Sequence, residues 1–207
     1  MIEQLETIPF TKMQGAGNDF VVLDNRELNI SKQELIELAP TICDRKFGVG
    51  SDGIMALLPP EHEEADYTMF FRNPDGSDAG MCGNGARCIA QFAHSLGYDA
   101  KHHFNVHDQL YQAVVEAENI VRISFPMQAS ATEHTIDGET FYGIHTGTEH
   151  LVHAVSEDLL EDEEALREQG QQLRYHDKFQ PAGTNVNFIS GIDDRSLKLQ
   201  TYERGVE

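Results

Sequence analysis

Residues 82–97 constrain the fold more than any other stretch of the 207-residue chain. Ile89, Phe92, Ala93 and Leu96 recur there at i, i+3, i+4 and i+7, the spacing of one helical face, and Gly97 supplies a stop. Ala86, Cys88 and Ala90 put small or apolar residues on the other faces, so this helix should be largely buried. The apolar runs around it are short and bounded by glycine or proline. Ile54 to Leu58, Tyr67 to Phe71, Tyr111 to Val115 and Ile120 to Phe125 read as strands. A buried helix among short strands predicts an α+β fold.

The opening segment reads as a hairpin: Pro9 to Gln14 as strand, Gly15 to Asp19 as a tight reversal, Phe20 to Leu23 as the returning strand. Ser31-Lys32-Gln33-Glu34 matches a capping box, after which Leu35, Leu38, Ala39 and Ile42 share a helical face. Pro40 lacks an amide donor and crowds the preceding turn, which predicts an end or kink there. Pro126 marks the end of a first lobe, 1–126. The second, 127–207, offers a strand near Leu151 to Val155, an acidic helix over Leu159 to Leu173, and strands near Asn185 to Ile189 and Leu197 to Tyr202.

Charge and cysteine usage narrow the function classes. A formal net charge of −20, with 15 Lys and Arg forming no basic run, repels phosphate backbones, so nucleic acid is not an expected partner. No apolar run is long enough to cross a bilayer, and Met1-Ile2-Glu3-Gln4-Leu5-Glu6 has neither a basic nor an apolar secretion segment, so a cytoplasmic location without membrane partners is expected. Cys43, Cys88 and Cys82 are too few and odd in number for a disulfide framework. Nor do they pair with histidines at zinc-site spacings, and no metal is expected.

Chemistry concentrates at Asn73 to Cys88, where a strand delivers a turn, then Cys82, then the glycine-rich mouth of the buried helix. The first amides of a helix lack helical partners and its dipole is positive at that end, which stabilises a thiolate at Cys82. Gly83 and Gly85 would let a substrate carboxylate approach those amides. By itself the segment is better read as a helix cap with an inert buried thiol. Cys43 and Cys88 read as core thiols.

Several separated segments together resemble diaminopimelate epimerases. They are Phe10 to Phe20, Asp44 to Gly53, Asn73 to Arg87, Gly183-Thr184-Asn185-Val186-Asn187-Phe188 and Tyr202-Glu203-Arg204-Gly205, in the family's order. The resemblance implies two pseudo-symmetric lobes, each a mixed or antiparallel sheet wrapped around a central helix, with the active site between them. It implies an isomerase that interconverts LL- and meso-diaminopimelate without pyridoxal phosphate, metal or other cofactor, in lysine and peptidoglycan biosynthesis. One cysteine thiolate removes the α-proton and a thiol on the other face returns one. Carried over residue by residue, Cys82 is catalytic, His150 and Glu203 tune thiol acidity, and Asn18, Asn73, Gly83, Asn84, Asn185, Glu203 and Arg204 bind substrate. A homodimer is implied for the full-length protein.

The chain departs from the family pattern at three places. Thr148-Glu149-His150 stands where Asn-Pro-His is frequent, and Gly53 where some members carry Gln. The chain also stops at Glu207, before the family's second Cys-Gly-(Ser/Thr)-Gly helix mouth, which predicts a fragment with an incomplete second lobe and negligible epimerase activity. The competing expectations are a proline or hydroxyproline racemase of the same fold, and a non-catalytic binding module.

Overall fold

A computed structural model describes residues 7–126, 130–146, 148–181, 183–193 and 195–203. The chain divides into two compact units, Met1–Pro126 and Met127–Glu207.

In the first unit, seven strands form one mixed sheet in chain order: β1 (Thr11–Gly15), β2 (Asn18–Asp24), β3 (Gly53–Leu58), β4 (Tyr67–Arg72), β5 (Lys101–Val106), β6 (Gln109–Ala117) and β7 (Ile120–Ser124). β2 runs parallel to β3 and β4 to β5, and the other neighbours are antiparallel. The β1–β2 reversal closes on Ala16 at φ 50° and Gly17 at φ 97°, the left-handed pair that a two-residue hairpin needs to match strand twist.

The expected buried helix is α2 (Gly83–Ser95), which touches both edge strands, β1 and β7, as well as β2, β3 and β6. The sheet therefore curls around it. Phe20, Val22, Met55, Leu57, Met69 and Phe104 point inward onto Ala86, Ile89, Ala90 and Ala93. The alternate residues Val21, Leu23, Ile54, Ala56, Leu58 and Phe70 form a second cluster with Leu35 and Ala39 of α1 (Lys32–Ile42) on the opposite face. Helices on both faces explain why β3 is apolar at nearly every position rather than alternating.

The capping box at Ser31 is formed in both directions, but α1 does not stop at Pro40. Its last turn is held from outside: Val49 and Gly50 amides donate to the Ile42 carbonyl and Ser51 to that of Cys43. These bonds satisfy carbonyls that a helix end leaves open.

In the second unit, β8 (Thr132–Ile136), β9 (Glu139–His145), β10 (Glu149–Ala154), β11 (Asn185–Asp193) and β12 (Ser196–Tyr202) form a sheet ordered β12-β11-β10-β9-β8, with β10 and β11 parallel. The acidic helix expected over 159–173 is two: α3 (Glu157–Leu160), capped by Ser156, and α4 (Glu163–Arg174), capped by Asp162. Each cap accepts from the amide three residues on, and Asp162 restarts the helix where the sequence pattern reads as continuous. Leu160 and Leu166 pack on Val186, Phe188 and Tyr202, and Leu173 joins them to Ile136, Phe141 and Leu151. β5, β8 and β9 had no counterpart in the sequence reading. Among the described residues, no helix is long and apolar enough to cross a membrane.

Burial lowers the pKa of His102, His150 and His153 below the usual 6.5. A histidine depressed in the folded state binds a proton more readily unfolded, so its contribution is complete above the unfolded value and lost as pH falls through the folded one. Urea midpoints should therefore be level from pH 8 to about 7 and drop from about pH 6.5 downward. His102→Gln should flatten that drop; a midpoint independent of pH between 7 and 5 would rule the coupling out.

Candidate active site

Cys82 is the N-cap of α2, with extended backbone at φ −116° and ψ 116°, and its Sγ accepts from the Gly85 amide at 3.4 Å. A sulfur in the cap position faces the first-turn amides by construction. The side chain is half-buried, whereas Cys43 and Cys88 are buried. Burial pushes the Cys88 thiol up to about 11 and also raises Cys43, whose sulfur accepts from the Ser51 hydroxyl at 3.1 Å.

Both glycines of the mouth were expected to admit a ligand, and the structure separates them. A Cβ at Gly83 would meet only Arg87 Nη1, at 3.8 Å, so the space beside it is open. A Cβ at Gly85 would lie 3.0 Å from Met55 Sδ and 3.4 Å from Met69 Cε. Gly85 is therefore small for helix–sheet packing. The departure at Gly53 has a similar cause: a Cβ there would sit 2.4 Å from Phe71 Cε2 and 2.7 Å from the Arg72 carbonyl, so Phe71 fills the place of a longer side chain.

Asn18, at the start of β2, is brought to the helix mouth. The Asn84 Nδ2 donates to Asn18 Oδ1 at 2.8 Å, and Arg87 Nη2 donates to Asn84 Oδ1. Asn18 Nδ2 in turn donates to Asp52 Oδ2 at 3.1 Å. Asp52 lies in an ionic cluster that sequence reasoning did not single out. Arg45 Nη2 bonds Asp52 Oδ1 at 2.7 Å and Asp19 Oδ1 at 2.8 Å, and Lys12 Nζ lies 2.8 Å from Asp19 Oδ2. The Arg45 guanidinium, with Lys12, holds the Asp19 carboxyl well below the usual carboxylate range. All four residues fall inside the quoted motifs, but nothing in those motifs shows which pairs meet.

Asn73 is placed differently. Its Nδ2 donates to Ser77 Oγ at 3.0 Å and to the Asp78 carbonyl at 3.3 Å, bracing the turn that leads to Cys82.

In the second unit, His150 on β10 pairs in register with Asn185 on β11. Asn187 Nδ2 donates to the Leu151 carbonyl at 3.3 Å and lies 3.1 Å from His150 Nδ1, while Thr201 Oγ1 donates to Asn187 Oδ1 at 3.1 Å. A carbonyl on one side and a hydroxyl donor on the other orient the Asn187 amide, making His150 Nδ1 an acceptor. The neutral ring then carries its proton on Nε2, which faces Thr148 Oγ1 at 3.1 Å. Burial lowers the His150 pKa and the Glu203 charge opposes that shift, so neutral imidazole is favoured on both counts of geometry and burial. Thr148, where the family often has Asn, thus serves His150. Asn185 Oδ1 accepts from Arg174 Nη1 at 3.1 Å; this buried arginine was also not anticipated, its one signal being a basic residue in the last turn of α4. Arg204 lies outside the described residues. Among those described, no group of three or more His, Cys, Asp or Glu could hold a metal ion.

Thiol chemistry offers a check on this geometry. Near pH 8, a thiol with a pKa of about 11 is only about one part in a thousand thiolate, and burial slows its access further. Under native conditions iodoacetamide should modify one cysteine at least roughly 100-fold faster than the others, and peptide mapping should place it at Cys82. Fast labelling of Cys43 or Cys88 would contradict the assignment.

The family model for diaminopimelate epimerase matches residues 10–123. Diaminopimelate epimerase of Aquifex aeolicus is 37% identical over 96% of this chain and 74% of its own length; that of a Hydrogenobaculum species is 34% identical over 95% and 75%. Among solved structures, a hydroxyproline epimerase from Agrobacterium vitis superposes with a TM-score of 0.56 at 14% identity, covering 94% of this chain and 70% of the other, a likeness of fold alone. A curled mixed sheet around α2, a cysteine capping that helix, and this degree of identity along nearly the whole chain lead to one assignment: the chain belongs to the diaminopimelate epimerase family of isomerase enzymes.

Proposed function

We propose that the protein acts on LL- and meso-diaminopimelate by cofactor-independent proton transfer at the α-carbon, with Cys82 as the acid/base on one face. The observation that carries this reading is Cys82 at the N-cap of α2, its sulfur on the Gly85 amide beside the open space at Gly83. As thiolate, Cys82 takes the α-proton and becomes a thiol, and the electron pair left on carbon delocalises into the substrate carboxylate. Amides of the α2 mouth suit that developing charge because they are already oriented when it forms. Asn18, Asn73, Gly83, Asn84, Asn185, Glu203 and Arg204 are the proposed substrate contacts, asparagine and arginine being suited to a substrate bearing two ammonium and two carboxylate groups. His150 and Glu203 are proposed to adjust thiol acidity.

Inversion needs an acid/base on each face. Of the three cysteines in these 207 residues, Cys43 and Cys88 are buried, so neither serves the second face. The 207-residue polypeptide is therefore expected to wash deuterium into one diaminopimelate isomer with retention, without net epimerisation. Proton NMR in deuterated water tests this, with proline and hydroxyproline as parallel substrates. Exchange into proline but not diaminopimelate would overturn the substrate assignment.

Gly83→Ala separates function from fold. Its Cβ meets only the end of a flexible arginine, and alanine gains about 1 kcal/mol of helix propensity at most, so stability should hold or rise slightly. The methyl occupies the space proposed for the carboxylate, so diaminopimelate binding should weaken by roughly tenfold or more, the effect of crowding one buried polar contact. Equal binding by wild type and variant would remove Gly83 from the contact set.

A further inference from the structure

The hydrogen bonds at the α2 mouth form a chain with a direction. At one end stands Asp52, a carboxylate held by Arg45 at 2.7 Å; at the other stands Arg87, a guanidinium. A carboxylate only accepts and a guanidinium only donates. Between them lie two asparagine amides, each able in isolation to present either edge. Arg87 donates to Asn84 Oδ1, Asn84 Nδ2 donates to Asn18 Oδ1, and Asn18 Nδ2 donates to Asp52 Oδ2. Rotating either amide by 180° would set oxygen against oxygen or nitrogen against nitrogen at both of its contacts. Two unlike charges thus select one orientation for the pair, and Asn18, only 6% exposed, has little water to compensate a wrong one.

We propose that Asp52 is a positioning residue: with Arg45 behind it, its carboxylate sets the amide orientation of Asn18 and, through Asn18, of Asn84, and thereby the donor and acceptor pattern that the Cys82 helix mouth offers to a substrate carboxylate. This rests on the reading that Asn18 and Asn84 contact substrate. Asp52 bonds to Asn18, Asp19 and Arg45, and would act on the helix mouth through Asn18. Its place is fixed independently of the asparagines, because its amide donates to the Asp19 carbonyl at 2.8 Å and to Asp19 Oδ1 at 3.1 Å, while the Asp19 amide returns a bond to Asp52 Oδ2 at 3.1 Å. The relay therefore joins three elements distant in sequence: the loop before β3, the start of β2 and the first turn of α2.

Asp52→Asn is nearly isosteric but can donate as well as accept, so it removes the direction from one end; Arg87→Gln does the same from the other. Side-chain amide NMR of Asn18 and Asn84 reads orientation directly, and calorimetry with LL- and meso-diaminopimelate reads its consequence. In the parent chain each asparagine should give one resolved NH2 pair. Asp52→Asn should shift or broaden both pairs, including that of Asn84, which it does not touch, and weaken diaminopimelate binding by roughly tenfold, the scale of one charge-assisted hydrogen bond, whereas Arg87→Gln leaves the Asp52 carboxylate in place and should leave the Asn18 amide in its orientation. Asp52→Asn disturbing only Asn18, or both amides with binding unchanged, overturns the proposal. Should Asp52→Asn fail to fold, Arg87→Gln carries the test alone, since a reoriented Asn18 beside an intact Asp52 overturns the proposal. If both amides respond as described but the parent chain binds neither isomer, the relay stands and the substrate reading fails.

Discussion

Cys82→Ser should reduce α-proton exchange into diaminopimelate by about 1,000-fold or more while leaving the fold intact, the scale expected when a positioned acid/base is removed. Serine is among the best N-cap residues, so its hydroxyl can take over the bond from the Gly85 amide. Urea midpoints of the two proteins should agree closely. What the substitution removes is the thiol proposed as the acid/base, because a serine hydroxyl has no appreciable anion near neutral pH without a base beside it. Cys82→Ala removes the cap as well and should cost about 1 kcal/mol of stability in addition. Deuterium incorporation followed by NMR provides the measurement. Exchange by Cys82→Ser within tenfold of the parent would assign the chemistry to another residue.

Gly48→Ala is expected to cost about 3 kcal/mol or more, among the larger effects available from a single methyl. A Cβ at that position would stand 2.2 Å from the Thr41 carbonyl oxygen, 2.7 Å from that of Ile42 and 3.0 Å from that of Asp44. Those atoms are backbone, so no side chain can swing aside and the 44–51 loop must lift from the end of α1. The loop's amides then lose the Ile42 and Cys43 carbonyls, the bonds that hold the end of α1. Arg45 would move with the loop, loosening its grip on Asp19 and Asp52. Chemical denaturation checks the first consequence, and protease sensitivity near Pro40 the second. A stability within 0.5 kcal/mol of the parent, the usual range for a surface change, would mean the loop is not held as described.

The elements legible in the sequence share a property: their signals are local. α2 shows its period within eleven residues, the β1–β2 reversal is marked by adjacent small and polar residues, and the capping box spans four positions. β5, β8 and β9 were missed because Lys101-His102-His103, Thr132-Glu133-His134 and Glu139-Thr140 are polar, and strand pairing, not composition, makes them strands. That α1 runs two residues past Pro40 was not legible for a related reason, since its end is held by a loop that folds back from residues 49–51 onto the Ile42 and Cys43 carbonyls.

By itself the sequence determined that a small-residue helix would be buried among strands and that a cysteine would stand at its entrance, because helical period and N-cap position follow from neighbours along the chain. It could not determine which way the asparagines at that entrance face. Asn18 meets Asp52 across a separation of 34 residues and Asn84 across 66, and only the closed sheet brings a carboxylate to one end of the pair and a guanidinium to the other. Hydrogen-bond direction depends on what lies at both ends of a chain of polar groups, so it becomes definite only once tertiary structure has assembled them.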